Sequence, residues 1–256
     1  MNPLIQQIRS RLLKQNKNWL AVVCGETGSG KSYSAIKIAA AIDDSFSIEK
    51  IVFNADDLIK LLQGNYPPGT AIVFDEAGVG LPAREWYSIQ NKILGYVLQT
   101  FRYKNYAVIF TVPSIDFIDI QARKLFHAYI ETCGISRKNK TVTLKYKIPK
   151  YNNQKNKWLW YYPRISGKVL KRIIVSKPDW RILKEYETKK RLAAETIVNK
   201  AKVEIETIKP AEGTPITCTH CNTTWRTTST ARRVQCSHCT SWVKLKKVGI
   251  PVLNKC

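Results

Sequence analysis

Two groups of residues have the types and spacing to do chemistry. The first is Gly25-Glu26-Thr27-Gly28-Ser29-Gly30-Lys31-Ser32, which fits G-x-x-x-x-G-K-[S/T] between an apolar run and a helical pattern. Its glycines let the backbone turn tightly and aim N–H groups inward. With the following helix N-terminus they form a nest for phosphate oxygens. Lys31 would then reach the β- and γ-phosphates and Ser32 would ligate Mg²⁺, and Tyr33 completes an expected ATP-binding set from Gly25 to Tyr33. The second group is Cys218-Thr-His-Cys221 and Cys236-Ser-His-Cys239, separated by 14 residues. Each pair can place two thiolates on one side of a tight knuckle, and two knuckles complete a tetrahedral Zn²⁺ site. Redox pairs or disulfides are the alternatives. His220 and His238 read as bystanders.

Further residues extend the phosphate chemistry. Ala71-Ile-Val-Phe-Asp75-Glu76 is an apolar strand ending in two carboxylates. Asp75 would hold Mg²⁺ through water, and Glu76 would orient or deprotonate an attacking water. Thr111, at the end of another buried strand, is a candidate γ-phosphate sensor, although threonine also favours strands by propensity alone. Arg102 is the first candidate for a finger presented to a neighbouring subunit, with Arg84 and Arg123 competing.

The elements that must position these residues alternate. Helical spacing covers 3–15, 31–42, 56–63, 88–102 and 118–130, the last leading to a final strand; short apolar runs at 19–24, 51–53, 71–74 and 106–112 read as buried strands. Such alternation implies an α/β fold with a mainly parallel sheet covered on both faces. Segments 141–148 and 158–162 read as a β-hairpin, and a charged helix follows Pro178 to about residue 206. Three regions are expected: a P-loop core over 1–135, a basic hairpin and helical extension over 136–208, and a zinc ribbon over 209–256.

Charge separates the halves. Residues 1–135 carry net +2 and residues 136–256 net +21, within a total of +23. This one-sided excess is the footprint of a polyanion, and nucleic acid is favoured over an anionic membrane. Around the ribbon, Arg226, Arg232, Arg233, Lys244, Lys246 and Lys247 suit phosphate contact, while Trp225 and Trp242 suit its core. Lys168, Lys171, Arg172, Arg181, Lys189, Lys190 and Arg191 could add backbone contacts. No 18-residue apolar stretch and no signal-peptide pattern occur, so a cytoplasmic protein without a membrane span is expected.

The order of phosphate loop, FDE strand end, Arg at a helix end and apolar strand entering a Pro loop resembles the HerA/FtsK superfamily of DNA-pumping ATPases. Residues 75–86 (DEAGVGLPAREW) and 101–110 (FRYKNYAVIF) carry the likeness beyond generic nucleotide motifs, with viral packaging ATPases and zonular-occludens-toxin-like proteins nearest. The superfamily commonly has Gln where this chain has Thr111. The resemblance implies a RecA-like core, a homo-oligomeric ring such as a hexamer, and ATP-driven movement of double-stranded DNA, with Lys31, Ser32, Asp75, Glu76 and Arg102 in the roles given above. A viral genome-packaging motor acting in host cytoplasm, with a capsid or portal partner, is the leading expectation. A single-strand helicase or replication ATPase, an ATP-gated zinc-ribbon adaptor, and a secretion ATPase of filamentous-phage type are the alternatives.

Overall fold

The computed structural model describes residues 2–75, 104–118, 123–207, 214–227, 229, 231 and 233–244, with side chains except at 197, 200–207 and 214. Its strands are β1 Trp19–Cys24, β2 Ile51–Val52, β3 Ala71–Phe74, β4 Ala107–Val112, β5 Ala128–Ser136, β6 Thr141–Asn152, β7 Lys157–Tyr161, β8 Arg164–Ile165, β9 Lys168–Val169 and β10 Arg172–Ser176. Helices are α1 Pro3–Leu13, α2 Lys31–Ile42, α3 Ala55–Gln63 and α4 Trp180–Thr207. The chain divides into two compact units, Met1–Thr196 and Ile197–Cys256.

The first unit is an α/β, RecA-like P-loop core built on one sheet of order β10-β6-β5-β1-β4-β3-β2, with β7 pairing onto β6. Strands β5, β1, β4, β3 and β2 run parallel; β6, β7 and β10 join antiparallel. Every residue of β1 is buried, as a strand with neighbours on both edges and layers on both faces requires. Its alternate residues feed two cores. Ala21 and Val23 share one with Leu4, Ile8 and Leu12 of α1 and Ile36 and Ala39 of α2. Leu20 and Val22 share the other with Leu58 and Leu62 of α3.

Local chemistry fixes the helix starts. Asn2 caps α1 by accepting from the Leu4 N–H, with Pro3 in the first turn, and Asn54 caps α3 by accepting from the Asp57 N–H. A buried ion pair ties α2 to the sheet: Lys50 Nζ lies 2.7 Å from Asp43 Oδ2, which also accepts from the Ala71 N–H. Burial works against ionisation of Asp43, but the bonds from Lys50, Ala71 and Ser45 outweigh it and hold its carboxyl below the ordinary range.

Two elements differ from the sequence expectation. The helical pattern over 118–130 gives way to strand at Ala128, where Ala128 and Ile130 bury one face and Tyr129 is half-buried. Parallel pairing of Ala128–Glu131 with Ala21–Cys24 takes precedence over the local spacing. The hairpin pairs Ile148–Asn152 with Lys157–Tyr161, whereas Thr141–Lys147 lies inside the main sheet between β5 and β10. The sheet therefore runs through residue 135, where the charge changes.

The second unit holds the far end of α4 and two short antiparallel pairs. These are β11 Thr214–Thr217 with β12 Thr224–Thr227, and β13 Arg233–Gln235 with β14 Trp242–Lys244.

Candidate nucleotide site and four-cysteine cluster

The phosphate loop leaves β1 at Gly25 and ends at Gly30, the N-cap of α2. Gly28 and Gly30 have φ of +76° and +88°, in the left-handed region that favours glycine. Among the described residues a Cβ at Gly28 would meet nothing within 4 Å, whereas one at Gly30 would lie 2.7 Å from Val142 Cγ2. The loop is thus tightly backed by β6 at Gly30. From β5, Thr132 Oγ1 bonds Ser29 Oγ at 2.8 Å. No side chain caps α2, so its first N–H groups face the loop. Lys31 Nζ donates to the Glu26 carbonyl at 2.7 Å, across the loop.

The sheet order brings Asp75 and Thr111 to the same edge. β4 lies between β1 and β3, pairing Thr111 with Val23 and Phe110 with Phe74. Asp75 follows β3 directly and is fully buried. Its Oδ1 accepts from Thr111 Oγ1 at 2.7 Å and its Oδ2 from Tyr186 Oη at 2.6 Å, with Lys190 Nζ 3.9 Å from Oδ2. Tyr186 is itself buried, stacked on Phe53 and edge-on to Tyr33. Next to it, Tyr33 Oη donates to Glu187 Oε1 at 2.8 Å; burial, then this carboxylate, push the phenol up to about 12.

The cleft so formed has a volume of about 630 Å³. The phosphate loop and α2 supply one wall, the end of β4 another, and the β5–β6 turn, β10 and α4 the rest. Among the described residues, Lys31, Arg137, Lys140, Lys177 and Lys190 line it together with the carboxylate of Glu187. Five cations around a glycine loop fit a polyphosphate, and Ser32 and Asp75 are oxygen donors of the type Mg²⁺ takes. By sequence, Lys189 and Lys190 belong with the cations that could contact a nucleic-acid backbone. The structure places Lys190 on the cleft and bonds Lys189 Nζ to the Ile48 and Ile51 carbonyls. Tyr186 had no local signal, since nothing in an amphipathic helix marks which tyrosine meets a carboxylate 111 positions earlier.

Arg123 donates to Asp116 Oδ1 at 3.1 Å and to the Ile118 carbonyl. Glu76, Arg84 and Arg102 lie outside the described residues, as do Arg232, Lys246 and Lys247.

In the second unit the four sulfurs of Cys218, Cys221, Cys236 and Cys239 all lie within 4.8 Å of one another. Cys218 and Cys239 are 3.6 Å apart and Cys221 and Cys236 3.7 Å, against about 3.8 Å for sulfurs each 2.3 Å from one tetrahedral zinc. The two knuckles repeat one geometry. The N–H groups of His220 and His238 each donate to the sulfur two residues before, and Asn222 and Thr240 each take positive φ. Such N–H bonds stabilise thiolates, so the donor set fits zinc. Both imidazoles are exposed. Trp225 packs on the small core of this unit, but Trp242 is 65% exposed because Val243 takes the inward position of β14.

No family model and no curated protein matches this chain. Among solved structures, the N-terminal domain of zonular occludens toxin from Neisseria meningitidis is 16% identical, covering 57% of this chain and 94% of that one, with a TM-score of 0.35. Among the described residues, no helix is long and apolar enough to cross a membrane.

Proposed function

We propose that this chain is an ATP-hydrolysing DNA translocase, most concretely a viral genome-packaging motor subunit that works as a homo-oligomeric ring on double-stranded DNA. The observation that carries the ATPase part is the cleft itself, where the glycine loop, Lys31, Thr111 and the buried Asp75 converge at one sheet edge. The DNA part rests on the net +21 of residues 136–256.

When bound, ATP supplies the transferable phosphoryl group, and Mg²⁺ offsets the charge on its β- and γ-oxygens. The loop N–H groups and Lys31 bind and orient the phosphates. Ser32 and Asp75 are the residues that would hold the metal. Glu76 follows Asp75 in the chain and is the proposed base for water, and Arg102 the proposed finger in a neighbouring subunit. Thr111, whose hydroxyl is bonded to Asp75, would report on the γ-phosphate through that carboxylate. The four cysteines would hold Zn²⁺ as a structural ion.

The test is steady-state ATP hydrolysis alone, with duplex DNA and with single strands, using Lys31→Ala and Glu76→Gln as controls. Stimulation by duplex DNA that both variants abolish is expected. Stimulation by single strands alone would favour the helicase reading, for which the exposed aromatic face described next is a specific observation. Absence of hydrolysis despite ATP binding would overturn the motor reading.

A further inference from the structure

The β6–β7 hairpin carries aromatic side chains at alternate positions. Strand geometry puts Tyr129, Lys147, Pro149, Tyr151, Trp158 and Trp160 on one face, because Tyr129 pairs with Lys147, Pro149 with Trp160 and Tyr151 with Trp158. Four of these are rings in a row. Centroids are 5.0 Å apart for Tyr129–Trp160, 6.0 Å for Trp160–Trp158 and 5.2 Å for Trp158–Tyr151. Trp160 is 43% exposed. A cross-strand ladder stabilises a hairpin, but that role alone leaves unexplained why two tryptophans stand at a partly solvated face.

Cations surround the row. Lys124 Nζ sits 4.3 Å from the Tyr151 ring centroid and Lys147 Nζ 5.6 Å from that of Tyr129. Glu131 offsets part of this charge, 3.3 Å from Lys147 and 3.9 Å from Lys145. Beyond Glu131 the sequence has no acidic residue until Asp179, and the 47 residues between contain 13 Lys or Arg. We infer that this face is a binding platform for a single-stranded polynucleotide, its bases stacking on Trp160 and the neighbouring rings while the flanking lysines take the phosphates.

The geometry selects single strands over duplex. A duplex buries its base faces in its own stack, whereas an unpaired strand offers them to aromatic side chains. Each stacked base contributes enough to be read in one substitution, and stacking tolerates any base. The face also differs from a membrane-inserting tip, because its rings pack side by side along the strands instead of standing singly. Its inner end, Tyr129, borders the outer side of the phosphate loop at Cys24, Gly25 and Glu26.

The inference does not depend on ATP hydrolysis, so its test uses the full chain without nucleotide. Fluorescence anisotropy of labelled oligo(dT) of 12 residues should show binding that Trp160→Ala weakens about tenfold and Trp160→Phe changes less than about twofold. Lys31→Ala should leave it unchanged. A duplex of equal length should compete at least about tenfold less well, and Lys124→Ala should flatten the salt dependence. On the unaltered chain, photo-crosslinking with 5-iodouracil in the oligonucleotide should label peptides spanning 145–164. Wild-type affinity in Trp160→Ala, equal loss of duplex binding, labelling confined to other segments, or a Trp160-dependent attachment to anionic vesicles in place of the oligonucleotide would each overturn it.

Discussion

Tyr186 of α4 donates a 2.6 Å hydrogen bond to Asp75, so that with Thr111 on its other oxygen this buried carboxylate is held by two hydroxyls from two distant segments. Under the proposed function Asp75 is also the metal-side carboxylate, and the Tyr186 hydroxyl competes for the oxygen that would face a coordinated water. Tyr186→Phe is therefore expected to lower the Mg²⁺ concentration that half-saturates nucleotide binding by about tenfold, or ~1.4 kcal/mol. Nucleotide binding without metal should stay as in the wild type. Titration calorimetry at fixed nucleotide measures both, and an unchanged Mg²⁺ dependence would reduce Tyr186 to a packing role.

Gly30 is constrained twice, by φ of +88° and by Val142 at its back. Gly30→Ala should cost about 1–3 kcal/mol in denaturant unfolding through strain and displacement of β6. Adding Val142→Ala should recover the steric share and leave the backbone share. Full recovery in the double variant would show that the positive φ carries no cost.

His127 offers a pH test of the sheet. Its Nδ1 accepts the Leu20 N–H at 3.0 Å, and burial, then the charge on Arg11, push the imidazole down to about 4. The unfolded chain takes up a proton near pH 6.5 that the folded chain refuses until about 4, so stability should fall on acidification through that window. The total is on the order of 3 kcal/mol. His127→Asn, whose carbonyl can accept the same N–H without titrating, should flatten this slope. An unaltered slope in that variant would assign the acid sensitivity elsewhere.

The four-cysteine cluster predicts one zinc per chain by elemental analysis. Cys236→Ser should lose it and unfold residues 214–244, while the melting of the first unit is retained, since the small second core has few apolar residues without the metal. A fully folded second unit after chelation would rule out a structural ion.

Legibility in the sequence followed the range of the interactions. The phosphate loop and the buried runs depend on neighbours within a few residues, and each was readable; the caps at Asn2 and Asn54 are equally local but emerge only with the structure. The stretch Leu125, Phe126, Ala128, Ile130 suits either a helical or an alternating pattern, and only its pairing with β1 decides for strand. The cysteine knuckles were readable because their spacing is local, whereas their 3.6 and 3.7 Å closure is not. Thr132 against Ser29, Val142 behind Gly30 and Tyr186 on Asp75 span more than 100 positions each, and no local pattern announces them.

Those same long spans set an order of events during synthesis. Residues 25–32 leave the ribosome early, but the wall behind them is Thr132 and Val142, and the cleft is closed by Tyr186 and Lys190. A nascent chain that has released only its first three helices and four strands thus has a glycine loop and no nucleotide cleft. Any stabilisation that a nucleotide lends to the fold arrives only after Tyr186 and Lys190 of α4 have emerged.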